Sequence, residues 1–392
     1  MASILTEIQI IDTDTHIQEP PDLWTARVPS ALKDKVPQIR WEQETEEDVW
    51  YLQDVRMFPA GITAFAGHDG YPPDESVKRF SDIPDALWDP RARLQKMDEY
   101  GIYAQILYPN LATFATASFA QAQERDIHNL CISVYNDFQA EWRAVAPDRF
   151  LPIAALPFWD IDLSLKELAR CKEMGHHGLI FSQNPAAFGL PGLASRHWDP
   201  LWAAAQEMGM PVNFHIGSSG DDALQGMKSE VASMGVHAAF ASSNLGFFLA
   251  NSNTVSKLIF GGVCHRFPNL DFVSVESGVG WLRYALETMD WQWKNCGVNE
   301  EHPEYGLLPS EYFKRQIYGS FWFERETALF ALETLEDNIF YETDFPHCTS
   351  MCPGPKSAAQ MPHVYIEETF GHLPEETLRK VLHGNAARVY HL

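Results

Sequence analysis

The sequence predicts an α/β protein built as a closed (β/α)8 barrel, and three observations lead there. Helix-like segments alternate with short apolar, strand-like segments along most of the chain. Eight candidate strands are found once the N-terminal one is included. Neither a GxxxxGK[ST] loop nor a GxGxxG after a strand occurs, which removes the main nucleotide-binding form of an α/β sheet. Strands separated by helices run parallel with crossover connections, and eight of them favour a barrel over an open doubly wound sheet. At 392 residues, one domain spanning 1–392 with an insertion is sufficient.

The first strand is the most informative. In "IIDTDTHIQEP" (10–20), an extended chain places Asp12, Asp14 and His16 on one face and Ile11, Thr13 and Thr15 on the other. Two acids and an imidazole in a row must be exposed, hydrogen-bonded or bound to a cation. Residues 35–85 follow, rich in Pro, Trp and acids, and read as a small hairpin insertion or lid. From about residue 90 the pattern is regular. "PRARLQKMDEYG" is an amphipathic helix closed by Gly101, and "IYAQILYP" is the next strand. Helical segments then lead in turn into "LPIAALP", "GLIFS", "PVNFHIG", "DFVSVESG", "IYGSFWFE" and "NIFYETDFPH". The final "LPEETLRKVLHGNAARVYHL" reads as two closing helices.

Composition narrows the function classes. Hydrophobic residues make up 45% of the chain and aromatics 12%, enough for a sizeable core. Acids outnumber Lys and Arg by 53 to 29, and the net charge of -24 repels phosphate backbones and anionic membranes, so neither is an expected partner. The N-terminus lacks a basic region followed by an apolar run, and no window approaches the roughly 18 apolar residues of a membrane span. A cytoplasmic location is the expectation. Six scattered cysteines with no CxxC pair suggest neither a zinc knuckle nor a disulfide framework, and Cys348 and Cys352, flanked by Pro346 and Pro353, read as loop thiols.

Barrels keep their chemistry at the C-terminal ends of the strands. There this chain carries Asp14 and His16 on the first strand, His215 on the fifth, Glu276 on the sixth, and Glu342 and Asp344 on the eighth. All are metal-ligand types, and imidazoles mixed with carboxylates suit one or two divalent ions of Zn, Mn or Fe. His176, His177 and His265 precede strands, at the wrong end for catalysis, and read as structural.

"DTDTH", "NFHIG" and "ETDFPH" resemble the amidohydrolase-related proteins, in the branch around aminocarboxymuconate semialdehyde decarboxylase and the resorcylate-type decarboxylases. "RLQKMDEYGI", "GGVCHRFPNLDFV" and "GNAARVY" extend the resemblance over nearly the whole chain outside the insertion. It implies a metal held by Asp14 and His16, by His215 and by Asp344, with His347 of "DFPH" orienting the loop or a ligand. It also implies a homodimer or higher homo-oligomer. One departure stands out: the decarboxylases usually carry a histidine in an "AHGG"-like stretch where this chain has "VESGVG" and so Glu276. A carboxylate repels an anionic substrate unless a metal or a proton intervenes, which counts against decarboxylation.

Two mechanisms follow. In the first, a metal-dependent hydrolase or lyase, possible decarboxylation included, uses Glu276 or Asp344 to move the proton; Glu276 is a general base, a ligand or a bridge between two ions. No arginine stands out as an anion clamp. The alternative is a non-haem iron oxygenase with one or two irons. Asp12 is expected to support the ligands from behind. Glu342 is a further oxygen ligand, a supporting contact or a salt-bridge partner within the barrel. A non-catalytic binding barrel would need all these groups to be structural. Phe321, Trp322, Phe323, Trp281, Leu282 and the Trp-rich insertion could line an apolar cavity for a small aromatic or terpenoid-like acid, ester or thioester. "HAAFASSNLGFFLANS" either faces a neighbouring subunit or forms a buried helix.

Overall fold

In the computed structural model, which describes residues 4–72, 76–111, 125–218 and 229–392, the strands are β1 (Ile10–Ile17), β2 (Pro37–Glu42), β3 (Glu47–Leu52), β4 (Val55–Pro59), β5 (Ile102–Pro109), β6 (Phe150–Ala154), β7 (Gly178–Ile180), β8 (Val212–His215), β9 (Phe272–Val275), β10 (Ile317–Phe321) and β11 (Ile339–Tyr341). Eight of them pair in parallel in the order β1, β5, β6, β7, β8, β9, β10, β11, and these are the eight read from the sequence. The circle closes where the chain beyond β11 meets β1. Thr15 and Phe345 form a parallel bridge, Asp344 N donates to Asp14 O at 3.0 Å, and His16 N donates to Phe345 O at 2.7 Å.

Local signals set the crossovers. Helix Pro90–Tyr100 starts where Asp89 accepts from the amides of Arg91 and Ala92, has proline in its first turn, and stops at Gly101 with φ 74°. Ile11, Ala104, Ile106, Ile153 and Phe340 fill the barrel interior, and a larger apolar layer separates strands from helices. The C-terminal segment closes as helix Glu375–Arg379, a π turn Lys380–Gly384 and helix Asn385–Tyr390. Its Tyr390 hydroxyl reaches the interior and donates to Asn213 Oδ1 at 2.7 Å.

Two expectations are corrected. Asp12 does not share a face with Asp14 and His16. Asp12 pairs with Gln105 and Thr15 with Leu107, so three steps along β1 face two along β5, and this bulge turns Asp12 toward the helix layer while Asp14 and His16 face inward. The insertion is not a single hairpin but a three-stranded antiparallel sheet, β2-β3-β4. Its chain then reaches the barrel mouth, where the amides of Phe65 and Ala66 donate to Pro346 O at 2.9 and 3.1 Å. Helix Val236–Phe260 is neither wholly buried nor wholly exposed: Val255, Leu258 and Ile259 are in the core, whereas Leu245 and Leu249 face outward. No described helix is long and apolar enough to cross a membrane.

Candidate metal centre

The strand-end residues converge as the barrel geometry requires. His16 Nε2 and His215 Nε2 lie 2.9 Å apart, and Asp14 Oδ1 stands 3.4 Å from the first and 3.5 Å from the second. Glu276 Oε2 is 3.5 Å from His215 Nε2, and Asp344 Oδ1 is 3.8 Å from His16 Nε2. His347 stacks on His16 with ring centroids 3.7 Å apart and brings Nδ1 to 2.9 Å from Asp344 Oδ1. Three overlapping ligand groups result: Asp14, His16 and His215; His16, Asp344 and His347; Asp14, Glu276 and Asp344.

The donor chemistry fits a cation. Both oxygens of Asp14 are buried and accept no hydrogen bond, an arrangement that is expensive unless something positive sits beside them. His215 Nδ1 donates to Ile216 O at 2.7 Å, which turns Nε2 toward the cluster. Donor atoms about 2.1 Å from one ion stand about 3.0 Å apart at right angles and about 3.4 Å apart in a tetrahedron. The separations within the cluster fall around those values.

Backbone strain marks the same place. Glu276 and Asp344 have φ of 53° and 57°, a left-handed conformation that side-chain-bearing residues adopt at a penalty of roughly 1–2 kcal/mol. Among the described residues Glu46 and Gln53 share it in the tight turns of the insertion, and His391 at the chain end. In the barrel it aims two carboxylates inward where a regular strand would not.

Acids outnumber bases here, and the electrostatics follow. Burial opposes charge on His215, but Asp14 beside it pushes its pKa up to about 9. Burial likewise raises Asp14, yet His215 and His16 outweigh it and hold Asp14 well below the usual carboxylate range. Burial and the neighbouring Asp344 push Glu276 well up, and burial with Asp14 does the same to Asp344. Burial, with His347 beside it, holds His16 well below the ordinary imidazole value.

The supporting residues fall into two kinds. Asp12 lies behind β1, accepting from Thr343 N at 2.8 Å, Thr343 Oγ1 at 2.6 Å and Gln105 Nε2 at 3.2 Å. Glu342 sits deeper: its Oε2 accepts from Glu276 N at 3.4 Å, its Oε1 accepts nothing, and among the described residues no Lys or Arg pairs with it. The salt-bridge alternative is therefore not realised, and Glu342 belongs to none of the three ligand groups.

Sequence reasoning missed two residues here. Asn110 takes the Nε2 hydrogen of His347 at 2.7 Å, with its own amide group fixed on Ile17 O. Thr349 Oγ1 contacts both Glu276 Oε1, at 3.0 Å, and Asp344 Oδ2. Neither lies in a periodic pattern; only proximity to "DFPH" and to a strand end could have flagged them. The aromatic lining is corrected in part, Phe323 and the insertion contributing as expected. A cavity of about 280 Å³ beside His347 and Thr349 is walled by Phe65, His68 and Phe323. Phe321, Trp322 and Leu282 are core, and the insertion's Trp50 packs on Trp24 instead. His176, His177 and His265 bond Cys171 O, Tyr390 O and the Tyr312 hydroxyl, away from the cluster as expected.

The sequence matches the amidohydrolase family over residues 11–392. It is 29% identical to a gamma-resorcylate decarboxylase of Polaromonas sp. over 290 residues, 71% of this chain and 82% of that protein. It is 25% identical to a 2-amino-3-carboxymuconate-6-semialdehyde decarboxylase of Dictyostelium discoideum over 321 residues, 79% of this chain and 78% of that one. The crystal structure of a dihydroxybenzoic acid decarboxylase from Polaromonas sp., with bound manganese and the inhibitor 2-nitroresorcinol, superimposes with a TM-score of 0.61 at 21% identity, covering 98% of this chain and 97% of that one. The chain belongs to the amidohydrolase family, in the branch that contains these decarboxylases.

Proposed function

We propose that this protein is a divalent-metal-dependent carboxy-lyase that releases CO2 from a small aromatic carboxylic acid. The observation that carries the reading is the overlap of the ligand groups at the strand ends, Asp14 and His16 with His215 in one and each with Asp344 in another, around the undonated carboxylate of Asp14. Similarity to decarboxylases of aromatic and related acids supports the reaction class, and the manganese in the Polaromonas structure supports the choice of ion. One ion is proposed, because all three ligand groups share members drawn from Asp14, His16 and Asp344. The relatives lend no support to an iron oxygenase.

When bound, such an ion polarises substrate oxygens and offsets the negative charge of a carboxylate. The chain's own residues supply the rest. Asp14, His16, His215 and Asp344 are the holders, and Asn110 orients His347 at their edge. Glu276 is the proton donor. Burial and Asp344 push its carboxyl well above the usual range, which favours the protonated form that can approach an anion where a carboxylate could not. As the bond between the ring carbon and the carboxylate breaks, its electron pair takes the Glu276 proton, giving Ar–H, CO2 and ionised Glu276. Thr349 Oγ1, 3.0 Å from Glu276 Oε1 and on the cavity wall, is placed to return a proton from water.

The test is CO2 release from gamma-resorcylate and other hydroxylated benzoates by manganese-loaded protein, against protein stripped with a chelator. Metal-dependent CO2 release is expected. Cleavage of aryl esters or thioesters without CO2 would replace this reading with hydrolysis, Glu276 then acting as base.

A further inference from the structure

Arg93, in helix Pro90–Tyr100, is fully buried with no carboxylate in ion-pair contact among the described residues. It spends its donors on neutral oxygens: Nε on Ala86 O at 2.6 Å, Nη1 on Gln105 Oε1 at 3.1 Å, and Nη2 on His16 O at 2.8 Å and Leu87 O at 3.3 Å. The guanidinium carbon also lies 4.3 Å from the centre of the Phe345 ring. Placing an unpaired cation in the interior is unfavourable, and an apolar side chain of the same volume would pack there at less cost.

What the guanidinium touches explains its presence. The barrel closes between β1 and the segment beyond β11, and β11 itself ends at Tyr341. Across that seam, the strand pairing consists of the Thr15–Phe345 bridge and the amides of His16 and Asp344. Asp14, His16 and Asp344 all hang from it. Arg93 grips both sides: an N–H holds the carbonyl of His16, and its guanidinium lies over the ring of Phe345, the residue after Asp344. Through Gln105 it also reaches Asp12, which bonds Thr343 on the far side. Only a planar fork with several donors and a stacking face makes all these contacts together.

We propose that Arg93 is a positioning residue of the metal centre, fixing the register between the β1 ligands Asp14 and His16 and the late ligand Asp344. The proposal rests on the reading that these residues hold a divalent ion. It predicts that Arg93→Met and Arg93→Lys each weaken Mn2+ binding by about ten- to a hundredfold, the range expected for residues that orient ligands. Lysine keeps the charge but loses the fork, so it does not rescue.

The experiment measures the Mn2+ dissociation constant of the full chain by chelator competition, together with the thermal midpoint of the stripped protein. Arg149→Gln is the matched control, an arginine that bonds Tyr103 O and Ile102 O at the opposite end of β5. It should lower the midpoint and leave the Mn2+ constant unchanged. Should Arg93→Met fail to fold, Arg93→Lys and Phe345→Leu decide, the latter with a several-fold weaker constant. Wild-type Mn2+ affinity in the Arg93 variants that fold and in Phe345→Leu, with only the midpoint lowered, would reduce Arg93 to a packing residue and overturn the proposal. If wild-type protein bound no Mn2+, or Asp14→Ala bound it normally, the metal centre itself would fall and this proposal with it.

Discussion

Asp14→Asn is the sharpest single perturbation, because it removes one charge and almost no volume. Neither oxygen of Asp14 accepts a hydrogen bond, and Oδ1 lies within 3.5 Å of both His16 Nε2 and His215 Nε2, so its interactions point into the centre. Structural zinc sites bind with an apparent free energy of about 10–16 kcal/mol, about 3 kcal/mol for each of four donors, and one donor's share sets the upper scale for a carboxylate that holds Mn2+. Exchanging a carboxylate for a neutral amide should therefore weaken binding by up to roughly a hundredfold. The assay is chelator competition for Mn2+, with far-ultraviolet circular dichroism to confirm the fold. A constant within threefold of wild type in a folded variant would refute the assignment of Asp14.

Glu276→Gln keeps the Thr349 contact and the shape but carries no transferable proton; turnover should fall by about 10²–10⁴-fold while Mn2+ affinity changes by less than tenfold. Turnover near wild type would show that the proton comes from elsewhere. His176 predicts the acid limit of stability. Burial pulls its pKa down to about 4, with Nδ1 3.1 Å from Cys171 O. A depressed histidine is neutral in the fold and binds its proton first in the unfolded chain, so its contribution is complete above about pH 6.5 and is lost as pH falls toward 4. About 2 kcal/mol should disappear between pH 7 and pH 5. Denaturant melts at the two values should show a smaller loss in His176→Asn, and an equal loss would assign the acid sensitivity to other groups.

Much of the site could be read in advance because barrels repeat one rule. Each strand is short and apolar, and a polar residue where it ends is where chemistry is kept, so Asp14, His16, His215, Glu276 and Asp344 were visible as a set. Facing was less legible. Alternation places Asp12 beside Asp14, but one extra residue opposite Gln105 reverses Asp12, and nothing in "IIDTDTHI" announces a bulge when each residue could serve either face. Asn110, Thr343 and Thr349 are polar residues outside any period, and their roles exist only once the chain has closed. Arg93 was hidden for another reason. In "PRARLQKMDEYG" it lies four and seven residues before Met97 and Tyr100, on the face the helix buries, but an arginine does not announce itself as a core residue. The aromatic lining misled because Phe321 and Trp322 follow the strand pattern into the core, leaving Phe323 and the insertion's Phe65 to wall the cavity.

The central claim is that one divalent ion sits among the strand ends. An anomalous difference map from a crystal grown with Mn2+, collected at the manganese edge, tests it most directly. A single peak bonded to His16 Nε2, His215 Nε2 and the carboxylates of Asp14 and Asp344 is the predicted result. A peak elsewhere, or a second ion bridged by Glu276, would contradict it.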